Sequence, residues 1–194
     1  MHQHFKIYKP YGYISQFISN EQKRKNKKKL GELHNFPPET MSVGRLDEDS
    51  EGLLILTTDG KMSHHILSRS FEKEYYVQVD GIVTQEAINE LQKGIEISIH
   101  GKKYQTLPCK AKLLTDPPLL PERAKKVRDK RHGPTSWASI TLKEGKFRQV
   151  KKMTAAVGFP TLRLVRVRIG EIFIDEMQAG EVREITQEIN EKFL

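Results

Sequence analysis

An α+β fold built on a largely antiparallel sheet is what this sequence predicts, on three observations. Short segments alternate apolar and polar residues at the period of a strand, others repeat apolar residues at the period of a helix, and the two kinds do not alternate as regular βαβ units. Phe5-Lys6-Ile7-Tyr8 reads as a first strand and the apolar run Leu53-Leu54-Ile55-Leu56 as another. Residues 84–94 read as a helix: the Thr84 hydroxyl can cap its first turn, Val83 can staple to Ile88, and Gly94 can end it. Ile95, Ile97 and Ile99 then alternate with Glu96, Ser98 and His100, giving a strand with one wet face. A second helix is expected to begin near Phe147, because Phe147, Val150, Met153, Thr154 and Val157 follow helical spacing and Gly158 with Pro160 supplies a stop. Its other faces carry Arg148, Lys151 and Lys152. Val165, Val167 and Ile169 alternate with Arg166 and Arg168, a strand with apolar groups on one face and guanidinium groups on the other.

At 194 residues the chain has room for one domain or two small ones, and 37% hydrophobic content suffices for a packed core. Thirty-three basic against 25 acidic side chains leave a charge of +8, which favours a polyanionic partner, nucleic acid first. No run approaches the roughly 20 apolar residues of a membrane-spanning helix. The start Met1-His2-Gln3-His4-Phe5-Lys6 lacks the pattern of a signal peptide, so the cytoplasm is the expected location. Cys109 stands alone, which excludes an intramolecular disulfide and a cysteine-based zinc site; it reads as a small core or edge residue. His64 and His65 are adjacent, not at zinc spacing, and neither a dinucleotide fingerprint nor a P-loop occurs, so neither metal nor cofactor is expected. Two segments do not look like core. Lys23-Arg24-Lys25-Asn26-Lys27-Lys28-Lys29 puts six positive charges in seven positions, and Thr115 to Thr135 is rich in proline and basic residues. Both are candidates for nucleic-acid contact, with a mobile solvated face as the alternative for the lysine run.

Chemistry concentrates where an acid-rich loop, from Val43 through Glu51, runs directly into the Leu53 strand. Arg45 and Asp47 are two residues apart, so in an extended backbone both leave the same face and can form a salt bridge. Such a pair favours the ionised carboxylate and orients it, which is the condition for a carboxylate nucleophile. On these residues alone, an ordinary charged turn between two strands remains the alternative.

Taken together, Gly44-Arg45-Leu46-Asp47-x-x-Ser50-x-Gly52-Leu53-Leu54-Ile55-Leu56-Thr57 resembles the catalytic motif of the pseudouridine synthases, in the RsuA, RluB, RluE and RluF branch that modifies bacterial ribosomal RNA. Tyr8-Lys9-Pro10-Tyr11-Gly12 resembles the family's opening Lys-Pro-x-Gly strand and turn, and Lys73-Glu74-Tyr75 its Lys-x-Tyr segment, in the same order. The last third, with Thr135-Ser136-Trp137, the stretch from Glu144 to Met153, and Leu162 to Arg166, looks most like the RluE members, which act on large-subunit ribosomal RNA. The resemblance covers nearly the whole chain. It implies a central mixed sheet flanked by helices, with a cleft between two halves, as one catalytic domain over residues 1–194 or two subdomains. Most of the branch carries an N-terminal RNA-binding domain of the S4 type; here Phe5 to Pro10 starts the catalytic core almost at once, as in RluE-like chains.

The activity it implies is site-specific isomerisation of uridine to pseudouridine in large-subunit ribosomal RNA, by a monomer with no cofactor and no membrane. The resemblance assigns Asp47 as nucleophile or as electrostatic partner of the sugar, and leaves Glu48, Asp49 and Glu51 solvated. Tyr75 fits the position whose ring stacks on the target base, and strand geometry sends Tyr76 to the other face. Lys146 takes the place of a basic residue that pairs with the aspartate; a lysine cannot make a bidentate fork, so Arg45 or Arg148 is available for directional bonds. Leu164 matches an apolar position beside the base, with core packing as the alternative. Lys9 either supports the catalytic loop or touches RNA, and Trp137 is read as core, with nucleotide stacking as the alternative. Lys73 belongs with the substrate-binding set, and Arg148, Lys151, Lys152, Arg163, Arg166 and Arg168 are expected on backbone phosphates. Two other classes remain open: a noncatalytic RNA-binding protein on the same fold, and a hydrolytic glycosidase using Asp47 with Asp49.

Overall fold

Period-two segments become strands throughout. A computed structural model of the protein describes residues 2–18, 26–68 and 71–193. In chain order, β1 (His4–Lys9), β2 (Tyr13–Ile14), β3 (Lys28–Lys29), β4 (Met41–Val43) and β5 (Glu51–Thr57) precede α1 (Gly60–Ser68). Then follow β6 (Lys73–Asp80), α2 (Gln85–Lys93), β7 (Glu96–Ile99), β8 (Lys102–Gln105), β9 (Lys110–Leu114) and β10 (Thr135–Leu142). The remainder is α3 (Gln149–Ala156), β11 (Thr161–Ile169), β12 (Ile172–Phe173), β13 (Val182–Glu184) and α4 (Thr186–Phe193). Met1–Phe71, Pro121–Lys125 and Arg166–Leu194 make one compact unit, and Glu72–Leu120 with Lys126–Val165 a second.

In the first unit β1 is antiparallel to β5, Lys6 opposite Ile55, and to β13, Lys6 opposite Arg183. β4 pairs antiparallel with β5, and β12 with the end of β11. Strand β5 is buried along its whole length, which suits its unbroken apolar run. Helix α1 packs on β4 and β5, and α4 on β1. Ile7, Leu30, Leu54 and Leu56 are fully buried, with Phe17, Leu33, Phe36 and Val182 packed around them. Lys6, polar in a strand, is buried too; its ammonium donates to the Phe173 carbonyl at 3.0 Å and to the Asp175 carboxylate. Of the lysine run, Lys23, Arg24 and Lys25 lie outside the described residues, while Lys28–Lys29 form β3, parallel to β2.

In the second unit β10 is antiparallel to both β6 and β9, β7 and β8 form a hairpin, α2 packs on β9 and α3 on β7. Thr84 Oγ1 accepts the Ala87 N–H at 3.2 Å, as the capping pattern predicts, and Ala87, Ile88 and Leu91 face inward. Gly94 is required there: φ is 86°, and a Cβ would come within 2.3 Å of the Thr106 carbonyl oxygen. Ile97 is buried between exposed Glu96 and Ser98. The α+β class and its antiparallel pairing are therefore as the alternation predicts.

One expectation is sharpened. Helix α3 begins at Gln149, two residues past Phe147, because Arg148 has a left-handed backbone (φ 51°) and Phe147 stays 52% exposed. The reason is local: the Gln149 side chain accepts the Lys146 N–H at 3.1 Å and donates to Glu144 at 2.7 Å, while the Gln149 N–H reaches the Lys146 carbonyl at 3.1 Å. These bonds close a turn that takes Phe147 off the helix. The segment from Thr115 to Thr135, expected outside the core, is mostly exposed and is anchored at two arginines. Arg123 is buried in the first unit, and Arg128 in the second donates to Asp80 at 2.5 Å and to the Pro134 carbonyl at 3.2 Å.

Candidate active site

Asp47 lies half-buried in a loop between β4 and β5 whose backbone is tied at successive residues. Ser15 Oγ accepts the Leu46 N–H at 2.9 Å and donates to the Leu46 carbonyl at 2.8 Å. The Gly12 N–H donates to the Glu48 carbonyl at 2.8 Å, and the Ser50 N–H closes a turn onto the Asp47 carbonyl at 3.0 Å. Beneath this, the fully buried Lys9 ammonium donates to the carbonyls of Pro10 (3.0 Å), Tyr13 (2.6 Å) and Glu48 (3.5 Å). Lys9 is thus internal bracing, and its charge is dispersed over carbonyl dipoles instead of meeting phosphate. Outside the loop, Lys27 pairs with Glu48 at 2.7 Å.

Glu51 is not solvated; its side chain is 2% exposed. Arg123 lies 3.6 Å from it, and the Tyr8 hydroxyl donates to it at 3.5 Å. The same guanidinium sits over the Tyr11 ring at 4.0 Å. One arginine from the long loop therefore clamps both the start of β5 and the Lys-Pro-x-Gly turn. The Arg45–Asp47 salt bridge does not form among the described residues. The chain at 44–50 is a bent loop, Gly44 having φ 73°, and Arg45 is exposed beside an open hollow of about 410 Å³ lined by Ser15, Gln16, Ser42 and Leu67.

The other expected residues belong to the second unit, apart from Arg166 and Arg168. Tyr75 is buried on the same side of β6 as Val77 and Val79, opposite Ile140 of β10, and Tyr76 points to the other face. Lys73 donates to the Lys143 carbonyl at 3.2 Å. Lys146 is exposed, with its ammonium over the Tyr104 ring at 4.9 Å. Leu164 is buried, and Trp137 is half-buried in β10 opposite Gln78 and Leu114.

A sequence profile described as RNA pseudouridylate synthase matches residues 3–156. The chain belongs to the RNA pseudouridylate synthase family. It is 39% identical over 181 residues to the ribosomal large subunit pseudouridine synthase E of Vibrio parahaemolyticus, covering 91% of this chain and 71% of that one. To the protein of the same name in Xanthomonas axonopodis pv. citri it is 40% identical over 171 residues, covering 87% and 86%. A pseudouridylate synthase crystal structure superposes with a TM-score of 0.80 at 30% identity, covering all of this chain and 74% of that one. The chain is therefore an isomerase acting on RNA uridine.

Within this pseudouridine synthase, the basic residues divide. Arg166, expected on phosphate, is 4% exposed and donates Nε to the Leu53 carbonyl at 2.8 Å. Both faces of that strand are covered, so the alternation marks no guanidinium surface there. Arg168 is half-buried, donating to the Gly170 carbonyl at 2.8 Å. Arg148, Lys151, Lys152 and Arg163 are also half-buried, and Lys152 donates to the Ser98 carbonyl at 2.5 Å. Cys109 is inert chemistry: it donates to the Leu91 carbonyl at 3.2 Å, and burial, aided by Glu144, pushes its thiol up to about 11. Among the described residues no group of three His, Cys, Asp or Glu side chains could hold a metal ion, and no helix is long and apolar enough to cross a membrane. Sequence reasoning missed Arg123, Glu51 and Ser15. Their only signal was the motif around them, since a buried pair 72 positions apart leaves no periodicity.

Proposed function

We propose that the synthase converts a uridine of large-subunit ribosomal RNA to pseudouridine at Asp47. The observation that carries this reading is the carboxylate itself, half-exposed on a loop whose neighbours Leu46 and Glu48 are both fixed by hydrogen bonds, so that it is positioned before substrate arrives. The names of the similar synthases from Vibrio and Xanthomonas supply the substrate. In the reaction the bond from ribose C1′ to uracil N1 breaks, the base turns, and C1′ bonds to C5. C5 loses its proton and N1 gains one, so nothing external is consumed. Asp47 attacks or electrostatically stabilises the reacting centre once the base has been flipped from its stack. Tyr75 stacks on that base, Leu164 packs beside it, and Lys146 balances the aspartate's charge. Lys73, Arg148, Lys151, Lys152, Arg163 and Arg168 hold the RNA backbone. Residues 1–194 act as one catalytic domain, a monomer, in the cytoplasm.

The test is release of tritium from C5 of large-subunit RNA by the parent and by Asp47→Asn. Release by the parent alone supports the reading. Equal release by both refutes the role of Asp47, and appearance of free uracil would mean hydrolysis.

A further inference from the structure

Phe147 is a large apolar side chain that spacing assigns to a helix core, yet it stands 52% exposed. It is not loose there. Its ring stacks on His100 with centroids 5.2 Å apart and planes 20° from parallel, and the Lys152 ammonium lies 5.2 Å from its centroid. Each ring's direction is set by a left-handed backbone at a residue other than glycine. His100 itself has φ 49° at the tip of the β7–β8 hairpin, and Arg148, directly after Phe147, has φ 51°. At His100, followed by Gly101 with φ 79°, this is the positive-φ pair that a two-residue hairpin turn requires; at Arg148 it is uncommon for the residue type.

The surroundings are cationic. Lys102 and Lys103 follow His100 on the hairpin, and Lys146 precedes Phe147. Lys103 is paired with Glu96 at 3.0 Å, whereas Lys152 donates to the Ser98 carbonyl. The nearby Glu144 is turned inward, to the Tyr104 hydroxyl, the Leu107 N–H and Gln149. An exposed aromatic stack rimmed by ammonium groups has the composition of a stacking platform for a single-stranded nucleic acid.

We propose that the Phe147–His100 stack receives an unpaired base of the RNA, outside the nucleotide that is isomerised, with Lys102 and Lys152 on its phosphates. This rests on the reading of the substrate as RNA. The probe is a single-stranded oligoribonucleotide carrying 2-aminopurine, beside a fully paired duplex of equal length, titrated into the parent, Phe147→Leu and His100→Asn at two salt concentrations. Leucine keeps apolar bulk without a ring, and asparagine tolerates the left-handed backbone at 100. The parent should quench the fluorophore. Phe147→Leu should bind the single strand about 5- to 150-fold more weakly with an unchanged salt slope, as loss of one stacking contact predicts, and the duplex as before. Unchanged single-strand affinity in either variant, or equal loss for strand and duplex, would overturn the platform. Tritium release by the parent, run alongside, reports separately on the synthase reading. A parent that releases label with a Phe147→Leu variant that binds normally refutes the platform alone, and the opposite pair of results refutes the RNA site assigned to Asp47 alone.

Discussion

The loop around Asp47 and the surface around Phe147 treat residue types in opposite ways. In the first unit Lys6, Lys9, Glu51 and Arg166 are charged and buried, each held by carbonyls or a counter-ion. In the second a phenyl ring is exposed among lysines. At these four charged positions burial follows the supply of partners rather than the hydropathy of the residue. Of the buried charges, Lys9 reaches the carbonyl of Glu48 in the Asp47 loop, while the phenyl ring stays exposed.

The largest test of that contrast is Asp47→Asn, a loop charge that the bracing leaves half-exposed. Turnover should fall by at least about a thousandfold, as for removal of a reacting group. Filter-bound RNA should be retained, because a carboxylate adds no attraction to phosphate. A variant that fails to bind would show that Asp47 belongs with the bracing.

Next comes Lys9→Met, which keeps the stem and removes the ammonium from three carbonyls. Denaturant unfolding should show a loss of about 3 kcal/mol, the cost of leaving buried acceptors unsatisfied, with RNA affinity unaltered. An RNA-binding defect at unchanged stability would instead return Lys9 to the phosphate-contacting set. Glu51→Gln, which removes the charge facing the Arg123 guanidinium, should cost about 2 kcal/mol, somewhat less than a fully buried pair. Because Arg123 also covers Tyr11, kcat should drop while KM holds, and Arg123→Lys should recover stability better than Arg123→Ala.

The smallest effect is a pH dependence. His4 is buried beside the Thr57 hydroxyl at 2.8 Å, and burial holds its imidazole below the ordinary histidine value, against the opposing pull of Asp59. Its folded-state pKa is thus depressed. Its contribution to stability is full above about pH 6.5 and is lost as the pH falls from there through the lower folded value. His4→Asn should flatten the melting temperature between pH 7 and 5; an unchanged slope would place the proton uptake elsewhere.

What could be read from the sequence differed by range. The capped helix α2, the strand β7 with one wet face and the apolar β5 all follow from residues within one or two turns of each other. The same locality made the motif around Asp47 readable as a loop entering a strand. The start of α3 escaped because the Gln149 side chain offered the backbone bonds that competed with apolar spacing.

By itself, then, the sequence determined the fold class, the family and the net positive charge, since period, capping, motif and charge are properties of neighbouring residues or of their sum. The tertiary structure alone decided which charges serve the interior. Arg166 looks like half of an alternating basic face until Leu53, 113 positions earlier, presents its carbonyl. Whether a charge is buried depends on the groups that meet it there, and those arrive only when the chain has folded.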